Sequence, residues 1–150
     1  MPDPVSAPRI LIADDDPNVR DILSEILTGH GAVVTAVTDG QAAVHEAMLS
    51  PYDLCILDFE MPAMTGVEAC PQIRQSAVTK SMPILFMTGR SDEQSISQAF
   101  TAGASDYLCK PVHPTLLWMR VKNLLTLAKL EKEGENLSDV LKAAGEPPKE

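Results

Sequence analysis

Residues 9–16 read RILIADDD, a run of apolar residues that stops abruptly at three consecutive aspartates. Residues 54–58, LCILD, repeat this pattern, since four apolar residues again end at an aspartate. An uninterrupted apolar run of this length is typical of a strand covered on both faces of a parallel sheet. The two stretches therefore predict buried central strands that end in acidic side chains.

The remaining chain alternates short apolar runs with stretches of helical periodicity. Further strands are predicted at residues 32–37, 83–87 and 106–109, and a helix is predicted after each strand. The last helix is predicted to begin near residue 113 or 114 and to run past residue 130. Five strands alternating with five helices predict an α/β domain with a doubly wound parallel sheet and helices on both faces. In such sheets, functional sites lie beyond the carboxyl ends of the strands.

Length and composition limit the functions to be considered. A chain of 150 residues suits one compact domain. Its formal net charge of −9 would repel a phosphate backbone, so we expect no direct contact with nucleic acid. The sequence shows neither a signal peptide nor an apolar run of ~20 residues, so we expect a cytoplasmic protein that makes no contact with the membrane.

Polar side chains gather at the predicted strand ends. Asp14 and Asp15 follow the first strand, Asp58 ends the third, Thr88 follows the fourth and Lys110 the fifth. Because parallel strands place these ends on one rim, the carboxylates would repel one another unless a cation lies among them. Ligands that are all oxygens favour a hard cation such as Mg²⁺. Beside a hydroxyl and an ammonium group, such a site predicts phosphoryl transfer to an aspartate.

Each of these residues also has a purely structural interpretation. An aspartate at a strand end is most often a turn or helix-cap residue, and a lysine before a helix is most often solvated. Their occurrence together, each at the end of a different strand, favours the functional interpretation.

Four segments carry a resemblance to bacterial response-regulator receiver domains. The resemblance covers roughly residues 8 to 130 and rests on residues 10–16, residues 57–66 (LDFEMPAMTG), the pair Thr88-Gly89 and residues 103–111 (GASDYLCKP). It implies a flavodoxin-like sheet of strand order 2-1-3-4-5. It also implies phosphotransfer from the phosphohistidine of a sensor histidine kinase or a phosphotransfer domain, so that the chain acts as a signalling phosphoacceptor and not as an enzyme.

The resemblance implies a set of metal ligands. Asp15 and Asp58 would bind Mg²⁺ directly, together with the backbone carbonyl of Glu60, and Asp14 would act through water. Glu60 and Arg90, each two positions beyond a site residue, are further expected to face each other at the mouth of the site.

The resemblance also implies the phosphoacceptor and the switch residues. Asp58 matches the phosphoacceptor, Lys110 the phosphate-sensing lysine, and Thr88 and Tyr107 the switch pair. Two departures from the family pattern are Gly89, which we expect to be harmless, and Val112 in place of a frequent Phe, which could alter the docking of the last helix.

The chain is predicted to divide into a flexible leader at residues 1–7, the receiver domain at residues 8–130, and a helical extension with a linker or disordered tail at residues 131–150. The extension carries an apolar stripe at spacings of three and four, broken by Gly134, which is consistent with either a folded-back helix or a short coiled coil. A homodimer through the fourth helix, fifth strand and fifth helix, with the extension as a second contact, is therefore expected. That face is expected to carry Ala99, Ala102 and the start of the long helix near Trp118.

Two other functions fit parts of the pattern. A Mg²⁺-dependent phosphatase of the haloacid dehalogenase type also uses an aspartate nucleophile, but it requires a second aspartate two positions later, where this chain has Glu60. A degenerate receiver that serves only as a docking module would not need the acidic cluster, Thr88 and Lys110.

Overall fold

The computed structural model describes residues 7–89 and 92–143, and of residues 136–143 it describes the backbone alone. Within these residues the strands are β1 (Arg9–Ala13), β2 (Val33–Val37), β3 (Leu54–Asp58), β4 (Ile84–Thr88) and β5 (Asp106–Cys109). The helices are α1 (Pro17–Gly29), α2 (Gly40–Leu49), α3 (Gly66–Arg74), α4 (Glu93–Ala102) and α5 (Pro114–Ala143). The predicted alternation is confirmed, with boundaries that differ by one or two residues.

The strands form one parallel sheet in the order β2-β1-β3-β4-β5, which confirms the flavodoxin-like fold. Every residue of β3 and β4 is buried, as their uninterrupted apolar sequences predict. The chain leaves β1 toward β2 on one side and returns to β3 on the other. This reversal makes the carboxyl ends of β1 and β3 the expected position of a binding site.

Helices cover both faces of the sheet, and each face has its own hydrophobic core. One core contains Leu57, Phe86 and Ile73 under α2, α3 and α4. The other contains Ile12, Leu23 and Leu117 and is covered by α1 and α5. Because alternate residues of a strand point to opposite faces, each buried strand contributes to both cores.

Acidic and hydroxyl side chains cap the N-termini of α1 and α3, the helices that follow β1 and β3. Asp16 accepts a hydrogen bond from the Asn18 amide at the start of α1, where Pro17 occupies the first helical position. Thr65 and Glu68 form a reciprocal capping box at the start of α3. Of the three aspartates that follow β1, the third is thus a helix cap.

Gly66 is required where α3 passes close to the end of β3. A Cβ atom at this position would overlap the backbone carbonyl oxygen of Asp58. We expect Gly66→Ala to lower the free energy of unfolding by about 1–3 kcal/mol, because the backbone must shift to relieve the overlap. Gly89→Ala is the matched control, since no atom lies within 4 Å of the added methyl group. Urea unfolding compares the two variants, and equal stability would contradict this account of Gly66.

One expectation about the output face is wrong. Ala99 is buried, and so it is not part of a surface. Trp118 stacks on His30 at the end of α1, with the ring centroids 4.3 Å apart and the rings nearly parallel, and so it faces away from β5. By contrast, Arg120 on the same helix pairs with Asp106 of β5 at 2.9 Å. Trp118 and Arg120 thus define two different sides of α5.

Some expectations fall outside the described residues. The leader is described only at residue 7, and residues 144–150 of the tail are not described. The pairing of Glu60 with Arg90 cannot be placed, because residue 90 is outside the described ranges. The predicted domain boundaries stay predictions, although α5 runs through residue 134 to Ala143 without interruption.

Candidate functional site

The carboxyl ends of β1, β3 and β5 line one open cavity of about 720 Å³. Its lining residues come from the loops that follow these strands and β4, and they include acids, one lysine and several apolar side chains: Asp15, Asp16, Asp58, Phe59, Glu60, Met61, Pro62, Gly89 and Lys110. The structure therefore brings Asp15, Asp58 and Lys110 to a common site, as the strand ends predict, and Glu60 lines the same cavity.

Three carboxylates cluster at this cavity, although only two of them line it. Asp14, Asp15 and Asp58 each offer an oxygen, and these oxygens lie within 4.8 Å of one another. Asp14 and Asp58 are buried, whereas Asp15 is exposed. Asp14 is fixed by its surroundings, because its amide donates to the Val37 carbonyl at 3.2 Å and its carbonyl accepts from the Arg20 guanidinium at 2.8 Å.

Lys110 connects the two buried carboxylates. Its Nζ lies 3.1 Å from Asp14 Oδ2 and 3.2 Å from Asp58 Oδ1. The lysine follows β5, whose end is attached to β4 through a hydrogen bond from the Lys110 amide to the Thr88 carbonyl at 2.7 Å. The peptide bond that follows, Lys110-Pro111, is cis.

Burial and charge change the ionisation of this group of residues. Burial raises the pKa of the Asp58 carboxyl to about 6, and the negative charge of Asp14 acts in the same direction, while Lys110 acts against both. Burial alone would lower the pKa of the Lys110 ammonium, but the attraction of the two carboxylates outweighs burial and raises it. Lys110 therefore stays charged, and Asp58 carries its charge at an energetic cost.

The three carboxylates fit a hard divalent cation. Asp14 Oδ2 is fully buried, and the Lys110 ammonium that lies 3.1 Å from it also pairs with Asp58. One ammonium shared by two buried carboxylates leaves a net negative charge, which a cation would offset. The available donors are all oxygens, which is the ligand set that Mg²⁺ prefers.

The loop between β3 and α3 is fixed in one conformation by backbone contacts. The Phe59 amide donates to the Met87 carbonyl at 2.8 Å, and the Gly40 amide donates to the Met64 carbonyl at 3.2 Å. Ala63 has a φ of +66°, a left-handed conformation that is uncommon for a residue with a side chain. Glu60 lies within this loop, so the start of α2 and the end of β4 both position its backbone.

The two switch candidates lie on adjacent strands at different depths. Thr88 is buried at the end of β4, and its register partner on β5 is Cys109. Tyr107 is half-buried two residues earlier on β5, and its ring meets Phe100 of α4 edge-on at 6.0 Å. Thr88 therefore ends β4 next to the cavity without lining it, whereas Tyr107 lies between the sheet and α4.

Sequence patterns do not indicate some residues of the site. Phe59 and Met61 line the cavity, and Arg20 holds the Asp14 carbonyl from one turn into α1. Their positions next to Asp58, or six residues after Asp14, are the only sequence signals that could have suggested them.

The fold and the acidic cavity define a doubly wound α/β domain with its site at the β1/β3 switch point. The family model described as "Response regulator receiver domain" matches residues 10–122. The chain belongs to this family and is a receiver domain of a two-component response regulator.

Individual relatives agree with this assignment. The chain is 30% identical over 133 residues to the DNA-binding response regulator MtrA of Mycolicibacterium smegmatis. The aligned region covers 89% of this chain and 55% of MtrA. A putative response regulator from Chloroflexus aurantiacus has a similar structure, with 36% identity, a TM-score of 0.78, and coverage of 81% of this chain and 99% of that one. The receiver domain of sensor histidine kinase PA1611 from Pseudomonas aeruginosa, with a magnesium ion in its active site cleft, gives 27% identity, a TM-score of 0.76 and the same coverage.

The comparisons also bear on partners. The chain spans about half the length of the curated relatives that it matches. Because MtrA is named as a DNA-binding regulator, the expectation of no contact with nucleic acid is not supported. Among the helices of the described residues, none is both long and apolar enough to cross a membrane.

Proposed function

We propose that Asp58 accepts a phosphoryl group from the phosphohistidine of a sensor histidine kinase or a phosphotransfer domain, in a reaction that requires Mg²⁺. One observation carries this proposal: Asp58 is a buried carboxylate that lines the cavity, with two further acids close by and the Lys110 ammonium 3.2 Å away. A carboxylate placed for a structural role alone would not need two further acids within 4.8 Å.

The chemistry is a displacement at phosphorus. A carboxylate oxygen of Asp58 forms the new P–O bond as the P–N bond of the phosphohistidine breaks, and the electron pair of that bond returns to the imidazole nitrogen. The product is an acyl phosphate, and the phosphoryl oxygens remain at the mouth of the cavity. Lys110 and Thr88 are placed to bind those oxygens, because both lie at neighbouring strand ends.

The residues of this chain would hold one Mg²⁺ ion. Asp15 and Asp58 are the direct carboxylate ligands, the Glu60 backbone carbonyl is the third protein ligand, and Asp14 acts through water. When it is bound, Mg²⁺ supplies positive charge that offsets the charge of the phosphoryl oxygens. The close grouping of the three carboxylates and the backbone contacts of the β3–α3 loop support this assignment.

Phosphorylation would be read out through Thr88 and Tyr107. The Thr88 hydroxyl moves toward a bound phosphoryl group, and the space it leaves lets the Tyr107 ring turn inward from its contact with Phe100. This rearrangement changes the surface formed by α4, β5 and α5, where partners of the phosphorylated state would bind.

The switch is tested by replacing its first residue. We expect Thr88→Ala to accept phosphoryl groups while the NMR resonances of the Tyr107 ring no longer shift on phosphorylation, because the hydroxyl that couples the two is missing. Thr35→Ala on β2, remote from the site, is the control and should retain the shift. A full Tyr107 shift in the Thr88→Ala variant would rule out this coupling.

The function itself is tested by stoichiometry. With Mg²⁺ and acetyl phosphate, intact-mass measurement should show one added phosphoryl group per chain. A phosphatase of the haloacid dehalogenase type would instead release phosphate from phosphomonoesters over many turnovers. A chain that neither gains mass nor releases phosphate would be a docking module only.

A further inference from the structure

Arg20 joins the turn between β1 and α1 to the helix that follows it. Its guanidinium Nη1 donates to the Asp14 carbonyl oxygen at 2.8 Å, and its backbone amide donates to the Asp16 carbonyl at 3.0 Å. Both bonds start one turn into α1 and end on the acidic turn, which comprises Asp14, Asp15 and Asp16. Arg20 therefore links the position of this turn to that of α1.

The other polar groups of Asp14 are also occupied. The Asp14 amide donates to the Val37 carbonyl at 3.2 Å, and Oδ1 accepts from the Asp16 amide at 2.9 Å. Oδ2 lies 3.1 Å from Lys110 Nζ. The residue is 1% exposed, so a carbonyl without a partner would be costly at this position. The guanidinium of Arg20 supplies that partner, and Asp14 is thus fixed at all four of its polar atoms.

The carboxylate of Asp15, the next residue, lacks this support. Asp15 is exposed and lines the cavity, and its carboxylate forms no hydrogen bond or ion pair with another described residue. The Asp15 Cα atom lies between two peptide planes, one containing the Asp14 carbonyl and the other the Asp16 amide. Arg20 binds the first of these groups and Asp14 Oδ1 binds the second. These two hydrogen bonds therefore set the direction in which the Asp15 side chain leaves the backbone.

We propose that Arg20 is a positioning residue of the metal site, which orients Asp15 through the Asp14 carbonyl. The inference rests on the proposed function, in which Asp15 binds Mg²⁺ directly. Arg20 lies outside the cavity lining, so it contacts neither the ion nor the phosphoryl group. Groups that orient metal ligands typically contribute roughly ten- to a hundredfold to metal affinity. Arg20 is expected at the lower end of this range, because it acts on the backbone and not on the carboxylate itself.

The charge of Arg20 acts in the opposite direction. A guanidinium keeps its proton throughout the neutral range, and its positive charge repels a divalent cation. Because Arg20 is half-buried and not enclosed, salt at about 0.15 M reduces this repulsion to roughly a twofold effect on affinity. The loss of orientation therefore outweighs the loss of repulsion. The sign of the change in Mg²⁺ affinity separates the two effects, since repulsion alone predicts tighter binding without Arg20.

The first test measures Mg²⁺ affinity without any phosphoryl chemistry. The amide NMR resonances of Asp15 and Asp58 are followed during titration with MgCl₂ at neutral pH and about 0.15 M salt. Arg20→Met keeps much of the aliphatic volume but cannot donate to the Asp14 carbonyl, so we expect it to raise the Kd for Mg²⁺ roughly tenfold. The remaining resonances report whether the variant is folded as wild type is.

Two further variants complete this test. Arg120→Met is the matched control, since Arg120 is also half-buried but its guanidinium is bound by Asp106 at 2.9 Å, between α5 and β5. It should bind Mg²⁺ as wild type does. Arg20→Lys keeps the charge, and its ammonium can donate to the same carbonyl in a less fixed geometry, so we expect a smaller loss of about threefold. This conservative variant carries the test if Arg20→Met does not fold.

The second test separates positioning from damage to the fold. Phosphoryl uptake from acetyl phosphate is measured as a function of Mg²⁺ concentration. Arg20→Met should need roughly tenfold more Mg²⁺ to reach half of its maximal rate. Its maximal rate at saturating Mg²⁺ should stay within about twofold of wild type, because only metal binding is affected. A distorted site would lower the maximal rate as well, since Asp58 and Lys110 would also be displaced.

Several outcomes would overturn the role of Arg20. These are equal or tighter Mg²⁺ binding by Arg20→Met, an equal loss of affinity in Arg120→Met, and a maximal rate that falls in step with affinity. The proposed function fails in a different way. A wild-type chain with neither Mg²⁺-dependent shifts nor phosphoryl uptake contradicts both proposals, whereas a wild-type chain that binds Mg²⁺ no more tightly than Arg20→Met contradicts only the role of Arg20.

Discussion

Asp58→Asn is expected to remove all phosphoryl uptake from acetyl phosphate, whereas the wild-type chain gains the mass of one phosphoryl group. The amide has no free carboxylate to form the acyl phosphate, and no other described carboxylate combines burial, access to the cavity and contact with Lys110. Asp14 is buried but does not line the cavity, and Asp15 lines it but is exposed. The effect is therefore expected to be a complete loss and not a reduction in rate.

The matched control for this variant is Asp21→Asn. Asp21 is an exposed aspartate on α1 outside the cavity, so the substitution makes the same chemical change without touching the site. It should be labelled as fully as wild type, and omission of Mg²⁺ should suppress labelling of this control and of wild type alike. Equal labelling of Asp58→Asn and Asp21→Asn, as measured by intact mass, would assign the phosphoryl group to a different residue.

The fold could be predicted largely because its central strands leave few alternatives. Residues 10–13 and 54–57 are apolar without alternation, and strands buried on both faces accommodate such runs. Once those strands are parallel, the acids that follow them must share a rim. The association of Asp14, Asp15 and Asp58 follows from these two steps and needs no knowledge of any side-chain conformation.

The parts that could not be predicted depend on tertiary contacts between distant segments. The left-handed conformation of Ala63 has no local signal, because the residue is neither glycine nor asparagine and its loop is held by α2 and β4. The side of α5 on which Trp118 lies could not be predicted either. Helical spacing shows which residues are not on the buried face, but only packing shows whether such a residue turns toward α1 or toward β5.

The ionisation of the site is also a tertiary property. Sequence places an aspartate at the end of β3, but the pKa of about 6 results from the burial of that end and from the distance to Asp14. The same is true of Lys110, which lies between two carboxylates only because β1, β3 and β5 end at the same level. This ionisation also affects the stability of the folded protein.

Asp58→Asn is expected to stabilise the metal-free chain at neutral pH. The pKa of Asp58 is raised from 3.8 to about 6 by burial and by Asp14, so the folded protein binds a proton at this site more tightly than the unfolded chain does. Stability must then fall as pH rises from about 4 to about 6 and stay lower above that range. The shift corresponds to an upper limit of roughly 3 kcal/mol for the wild-type carboxylate above pH 6. An amide at this position avoids that cost.

Urea unfolding with a chelator present, at pH 4 and at pH 7.5, measures this effect. Asp58→Asn and wild type should differ little at pH 4, where Asp58 is protonated in the folded state, and the variant should be more stable by about 1–3 kcal/mol at pH 7.5. Asp21→Asn should show no such pH-dependent difference, because its carboxylate is exposed. Saturating Mg²⁺ should reduce or reverse the difference in free energy of unfolding between Asp58→Asn and wild type at pH 7.5, since the cation stabilises the wild-type protein, which keeps the Asp58 carboxylate as a ligand. An Asp58→Asn variant that is less stable than wild type at pH 7.5 without metal would contradict this prediction. Lys110 would then fully compensate the buried charge of Asp58, and the acidic cluster would not require a cation for its stability.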